Sequence, residues 1–325
     1  MFRMSQLPRL TSLILAFTLL PLAGGTGQGM ADVTAVEWYP RGKCWLIGTS
    51  GPQGLLIAYN GKSAEIIVKD FCIRSIACNR THCLIGTANG SLLAYNGQEI
   101  LDLTEEACFS KDVGSVEAIS WSPSLRKWLI GTSAYWKSGK FFGPGKLILY
   151  DGSNFSDLTH LCNLSSFEFI EWGADRWLIF GNSTFLEFDG QDFLNVTEKV
   201  YGNLLVNHTV TAYVNEEKVE LEYSFQKWIC SMDWSEEKRC WLTLGYADVP
   251  LPGPTSIPAL LMYDGITSRY IVTFPEEPVM RTSIEETLGG FIRWNGEYWL
   301  ICLNTYRQNW DGQNWEASEN QGEAS

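Results

Sequence analysis

The stretch that decides the fold runs from Val116 to Thr159. It reads Val116-Glu-Ala-Ile-Ser-Trp121, Lys127-Trp-Leu-Ile-Gly131, Lys146-Leu-Ile-Leu-Tyr-Asp-Gly152 and Phe155-Ser-Asp-Leu-Thr159. Each piece is short, apolar and bounded by turn-forming residues, which is the pattern of a β-strand; the four are called A to D. One Trp closes strand A and another opens strand B, at a spacing that suits a hairpin turn. Asp151-Gly152 after strand C is a strong hairpin signal, because both residue types tolerate positive φ.

Working outward, the same cassette recurs. Strand B returns as Trp45-Leu-Ile-Gly48, Cys83-Leu-Ile-Gly86, Trp177-Leu-Ile-Phe-Gly181, Trp241-Leu-Thr-Leu-Gly245 and Trp299-Leu-Ile-Cys302. The end of strand C returns as Tyr59-Asn-Gly61, Tyr95-Asn-Gly97, Phe188-Asp-Gly190, Tyr263-Asp-Gly265 and Trp310-Asp-Gly312. Six copies in strict alternation indicate an array of supersecondary units. Strands such as Cys44–Gly48 and Leu147–Tyr150 are apolar at successive positions, as a strand buried on both faces must be. Four-stranded sheets stacked face to face around an axis bury both faces of every sheet. The predicted fold is therefore all-β: a six-bladed β-propeller of four-stranded antiparallel blades, spanning residues 32–319. A β-solenoid is the runner-up, disfavoured by the variable spacing between copies.

Before the first copy stand Arg3, Arg9, an apolar run over residues 13–23 and small residues up to Ala31. That order predicts a secretory signal peptide over residues 1–31 and a secreted or cell-surface mature chain with no membrane span. Its removal takes away two Arg and no acid, so the net charge moves from −13 to −15. Such an excess argues against nucleic acid as a partner. Residues 320–325 read as a polar tail. Seven N-glycosylation sequons, at Asn79, Asn89, Asn154, Asn163, Asn182, Asn195 and Asn207, point the same way as the signal segment. Of the nine Cys, Cys78 and Cys83 occupy the columns that hold facing Trp residues elsewhere, which predicts a disulfide between them.

The copies differ in length at two kinds of connection only. Residues 133–146 and 246–258 lengthen B–C links, whereas residues 198–226 and 275–290 lengthen D–A links. The first D–A insertion carries a further predicted hairpin, Val210–Val214 with Val219–Tyr223. In a propeller both kinds of link emerge on one face, and loops on a rigid scaffold commonly carry function. The candidate ligand-binding residues there are Tyr135, Trp136, Phe141, Phe142, Tyr246 and Asp248.

The cassette resembles the repeats of secreted archaeal and bacterial β-propeller proteins, and is more distantly similar to WD-repeat and kelch-type propellers. The resemblance covers about residues 32–319, departs most in copies two and six, and implies architecture without supplying catalytic residues. The sequence shows no nucleophile elbow, phosphate loop, sialidase-type Asp turn or spaced metal-ligand set, so no cofactor or metal is predicted. The repeated Asp of Tyr-Asp-Gly fits turn geometry better than acid catalysis. The expected function is a non-catalytic extracellular module that binds a protein or glycan through its elaborated face. The alternative is a lectin or sialidase- or glycosidase-like enzyme on the same face.

Overall fold

The computed structural model describes residues 33–51, 54–107, 109, 113–201, 208–214, 217–249, 255–272, 279–280, 290–294, 299–303, 308–310 and 315–317. The signal segment, the polar tail and Asn207 lie outside these residues. The chain divides into two compact units, Met1–Glu168 and Phe169–Ser325.

The first unit holds three four-stranded antiparallel sheets in chain order. They are β1 (Val33–Tyr39), β2 (Cys44–Thr49), β3 (Leu55–Tyr59) and β4 (Ala64–Lys69); then β5 (Ile73–Cys78), β6 (Cys83–Thr87), β7 (Leu92–Tyr95) and β8 (Ile100–Asp102). The third sheet is β9 (Val116–Ser122) and β10 (Lys127–Thr132), then, after a separate hairpin of β11 (Tyr135–Lys137) and β12 (Lys140–Gly143), β13 (Leu147–Tyr150) and β14 (Phe155–Asp157). Strand β5 lies against β1 and β2, and β9 against β5 and β6, so the first strand of each sheet packs on the sheet before it.

The successive apolar residues of strand B divide between two cores. In β6, Cys83 and Ile85, with Ile73 of the adjoining β5, join Leu46 and Leu56 of the preceding sheet. Leu84 between them joins Trp128, Ile130 and Val116 of the following one. Each fully buried aliphatic side chain contributes roughly 1.5–3 kcal/mol, which is why a two-faced strand needs no polar alternation. The Gly that ends Trp-Leu-Ile-Gly permits this closeness. A Cβ on Gly48 would lie 2.4 Å from Ile73 Cγ2, and one on Gly86 would lie 2.5 Å from the Val116 carbonyl oxygen.

The second unit begins with the sheet β15 (Phe169–Gly173), β16 (Arg176–Gly181), β17 (Thr184–Phe188) and β18 (Phe193–Asn195), followed by the one-turn helix α1 (Thr197–Tyr201). Next come β19 (His208–Val214), β20 (Glu217–Ser235), β21 (Cys240–Val249), β22 (Thr255–Tyr263), β23 (Ser268–Val272) and β24 (Val279–Met280), which pairs with β22. Strand β19 forms the extra hairpin with the start of β20, Val210 opposite Leu221, and β20 then continues unbroken into the fifth sheet. Residues 246–258, read from sequence as a loop, instead prolong strands B and C as a ladder from Tyr246–Pro258 to Val249–Thr255.

The expectation of six four-stranded sheets is met by the first four copies, and the fifth forms a sheet that β19 and β24 extend to six strands. The sixth copy forms two separate hairpins among the described residues, β25 (Gly290–Trp294) with β26 (Trp299–Leu303) and β27 (Gln308–Trp310) with β28 (Trp315–Ala317). Its third strand, Gln308-Asn-Trp310, lacks the apolar run that buries strand C elsewhere. The first hairpin still packs as an A–B pair would. Ile292 joins Leu242, Leu244 and Leu260, its N–H donates to Ser231 Oγ at 3.0 Å, and the Trp294 N–H donates to Asp233 Oδ2 at 2.6 Å.

All five Trp pairs of the A–B hairpins stand directly opposite in register, from Trp38–Trp45 to Trp294–Trp299. In the second sheet that place is taken by Cys78 and Cys83, which form a disulfide. The C–D turns show a different chemistry from the one expected. Only the Gly takes positive φ, between 89° and 102° at Gly61, Gly97, Gly152, Gly190 and Gly265. The preceding Asn or Asp serves as an acceptor: Asp151 Oδ1 takes the N–H of Ser153 at 2.8 Å and of Asn154 at 2.7 Å, with the same pattern at Asn60, Asn96, Asp189 and Asp264.

Candidate functional site

Four of the six residues singled out from the sequence, Tyr135, Trp136, Phe141 and Phe142, fall on one element, the β11–β12 hairpin that interrupts the third sheet. Its turn, Ser138-Gly139, has φ of 51° and 74°, the all-positive geometry of a two-residue hairpin turn. Its root is tied to the sheet. Thr132 Oγ1 accepts the Lys146 N–H at 2.8 Å, Ser133 N–H donates to the Ser115 carbonyl at 2.9 Å, and Gly145 N–H donates to the Ser165 carbonyl at 2.7 Å.

The tip is free of such support. Cβ atoms built on Gly139 and Gly143 would meet nothing within 4 Å. Trp136 is 61% exposed, Phe141 53% and Phe142 55%, and Tyr135 is half-buried. Trp136 stands opposite Phe141 in register with their rings edge to face at 5.3 Å, while Tyr135 and Phe142 pair at 5.5 Å. A bulge between Tyr135 and Trp136 separates the two pairs. Cross-strand aromatic pairs contribute roughly 0.2–1 kcal/mol each, enough to order a short hairpin on an anchored root. They do not bury its faces. What remains is a two-sided aromatic surface presented to solvent, with Lys140 beside it.

The other candidates are placed elsewhere. Tyr246 and Asp248 have their backbone in β21, opposite Pro258 and Ser256 in the second unit; their side chains lie outside the described residues. Of the sequons, Asn89, Asn154, Asn163, Asn182 and Asn195 are exposed and Asn79 is half-buried in a turn. Among the described residues no group of three or more His, Cys, Asp or Glu could hold a metal ion, and no helix is long and apolar enough to cross a membrane. His82 packs over Trp128 at 5.6 Å, and burial lowers its pKa.

Two polar arrangements were not legible in the sequence as such. In the first, Thr159 Oγ1 accepts the Leu147 N–H at 2.9 Å while Asp157 accepts the Thr159 N–H at 2.9 Å. Asp102 with Thr104 and Asn195 with Thr197 repeat it. The recurrence of Asp-Leu-Thr was its only signal. In the second, the buried Glu187 carboxylate accepts from Arg176 at 2.8 Å and from the Tyr263 hydroxyl at 2.9 Å. Burial first, then the Glu187 contact, pushes the Tyr263 phenol well up. These carboxylates are engaged in holding the fold.

No family model matches the chain. The search of curated proteins likewise returns no match. Solved structures resemble it in fold. The Cps50 (Swd1) β-propeller domain of Myceliophteria thermophila shares 10% identity at a TM-score of 0.48, over 84% of this chain and 80% of that one. The extracellular domain of a putative hybrid two component system, BT4673 of B. thetaiotaomicron, shares 11% at 0.48, over 87% of this chain and 38% of its own length. YCF48 bound to D1 peptide shares 13% at 0.46, over 84% and 76%. At such identities the likeness concerns the arrangement of strands and not the site.

Proposed function

We propose that the chain is a non-catalytic extracellular interaction module that binds a protein or glycan through the links elaborated after strands B and D. The observation that carries this reading is the β11–β12 hairpin. Trp136, Phe141 and Phe142 stay more than half exposed on an element whose root is anchored and whose turn glycine, Gly139, has open space beside it. Apolar surface held out in that way suits stacking on sugar rings or insertion between a partner's side chains.

The reading has a wider frame. Residues 1–31 are a leader removed on export, the exposed sequons carry glycans, and residues 320–325 are a tail. Hairpins β25–β26 and β27–β28 are the halves of a sixth blade of the propeller read over residues 32–319. The packing of Ile292 and Trp294 on the fifth sheet supports that arrangement.

The test is a screen of glycans and secreted proteins with the chain from residue 32 onward, repeated with Trp136→Ala and Phe141→Ala. Loss of an exposed anchor should cost on the order of 2 kcal/mol, roughly thirtyfold in Kd. Binding that survives both substitutions would overturn the reading.

A further inference from the structure

At the end of the first two sheets remote from β11–β12 lies a recess of about 210 Å³, bordered by Tyr39, Cys44, Ala58, Ser63, Glu65 and Tyr95. Its meaning comes from the equivalent place between the fourth and fifth sheets. Counted from the residue that opens strand B, Cys44 corresponds to Arg176 and Ala58 to Glu187, because Leu46 pairs with Ala58 as Leu178 pairs with Glu187. Tyr95 corresponds to Tyr263, each opposite the residue in the strand-B Trp column of its sheet, Cys83 and Trp241. Between sheets four and five the position is filled: the Arg176 guanidinium and the Tyr263 hydroxyl both donate to buried Glu187.

Between sheets one and two the guanidinium is missing and the carboxylate has moved. Cys44 replaces the Arg and Ala58 the Glu, which vacates the space. An acid returns on the adjacent strand as Glu65, directly across from Ala58, where the fourth sheet has Leu194 across from Glu187. Glu65 forms no ion pair among the described residues. The Tyr95 side chain is 93% buried, being 7% exposed, and its hydroxyl makes no hydrogen bond among the described residues. Arg41, in the neighbouring turn, donates to the Thr81 carbonyl at 3.3 Å. Burial pushes both the Cys44 thiol and the Tyr95 phenol up, so they face the recess as neutral groups.

We propose that this recess binds a guanidinium group supplied from outside the chain, either a free alkylguanidine or the arginine side chain of a partner. The carboxylate of Glu65 matches the planar donor fork, and Tyr95 and Cys44 form the wall that Arg176 fills in the later copy. The site is separate from the aromatic hairpin and does not depend on what that hairpin binds.

The experiment is calorimetric titration of the chain from residue 32 onward with agmatine, with a blocked arginine peptide, and with N-butylurea as the uncharged control. Saturable binding of either guanidinium probe, and none of the urea, is expected. Glu65→Gln should weaken it about fivefold, the ratio that the upper end of a solvent-exposed ion pair implies. Cys44→Arg should abolish it by placing an internal guanidinium in the recess. If that variant does not fold, Glu65→Gln, on an exposed edge strand, still decides. A preference for agmatine would assign the recess to a small ligand, and a preference for the peptide to a protein partner; either supports the proposal. Failure of both probes to bind, or binding unchanged in Glu65→Gln, overturns it.

Discussion

Asp151, Asp189 and Asp264 each accept two backbone N–H groups at the head of a C–D turn. The N–H groups of Asn154, Asp192 and Thr267 first, and those of Ser153, Gln191 and Ile266 next, hold their carboxyls below the ordinary range. A depressed folded-state pKa contributes stability that is complete above the unfolded-state value and is lost as pH falls through the folded one. The first two copies have Asn60 and Asn96 in this role, which make the same bonds without titrating. Replacing all three Asp by Asn should therefore remove that contribution, lowering the melting temperature slightly at neutral pH and flattening the acid limb of its profile below the ordinary carboxylate range. An unchanged acid limb would contradict the assignment. The Cys78–Cys83 disulfide closes a short loop, for which chain entropy gives about 2 kcal/mol. Cys78→Ala with Cys83→Ala should lower the urea midpoint accordingly, and no shift would count against it. This bridge was legible because both Cys sit in the Trp columns. The recess was not, because its walls come from strands far apart in sequence and from what Cys44 and Ala58 fail to fill.

At the scale of the element, the Asp-x-Thr segment fastens strand D to the start of strand C. Thr159→Val removes the acceptor of the Leu147 N–H, whose residue is fully buried, and should cost about 1–3 kcal/mol, whereas Thr159→Ser should be nearly silent. Thermal unfolding of the two variants separates these outcomes. Asn195 fills the Asp place in the third such segment and is also a sequon. Asn195→Asp should abolish any glycan there while keeping the fold, and a large loss of stability would show that the equivalence is false. Strand identity was readable because the cassette repeats, down to the register of the Trp pairs. The B–C extension of the fifth sheet was read as a loop because it is proline-rich. Pro258 is tolerated in β22 at a place where that edge has no partner strand, because the β23 ladder stops at Ala259 and the β24 ladder reaches only Ser256. Hydrophobic pattern alone carries no information about where a neighbouring strand stops.

At the scale of the whole molecule, five copies share one solution: consecutive apolar strands divided between two cores, short turns at the A–B and C–D ends, and growth only after strands B and D. The sixth copy keeps the Trp294–Trp299 pair but has a polar third strand, which is where repetition ceases to predict the sheet. The aromatic hairpin is the largest departure from repetition in the first unit, and the account stands on its being held out for binding. The most direct measurement replaces residues 135–143 with Asn-Gly and follows melting temperature and ligand retention side by side. The account predicts a melting temperature within about 2 °C of the parent, less than about 1 kcal/mol for a unit of this size, together with loss of the ligands the parent retains. A fall of more than about 5 °C, near 2 kcal/mol on the same scale, with retention intact would show that the hairpin serves packing and would contradict the account.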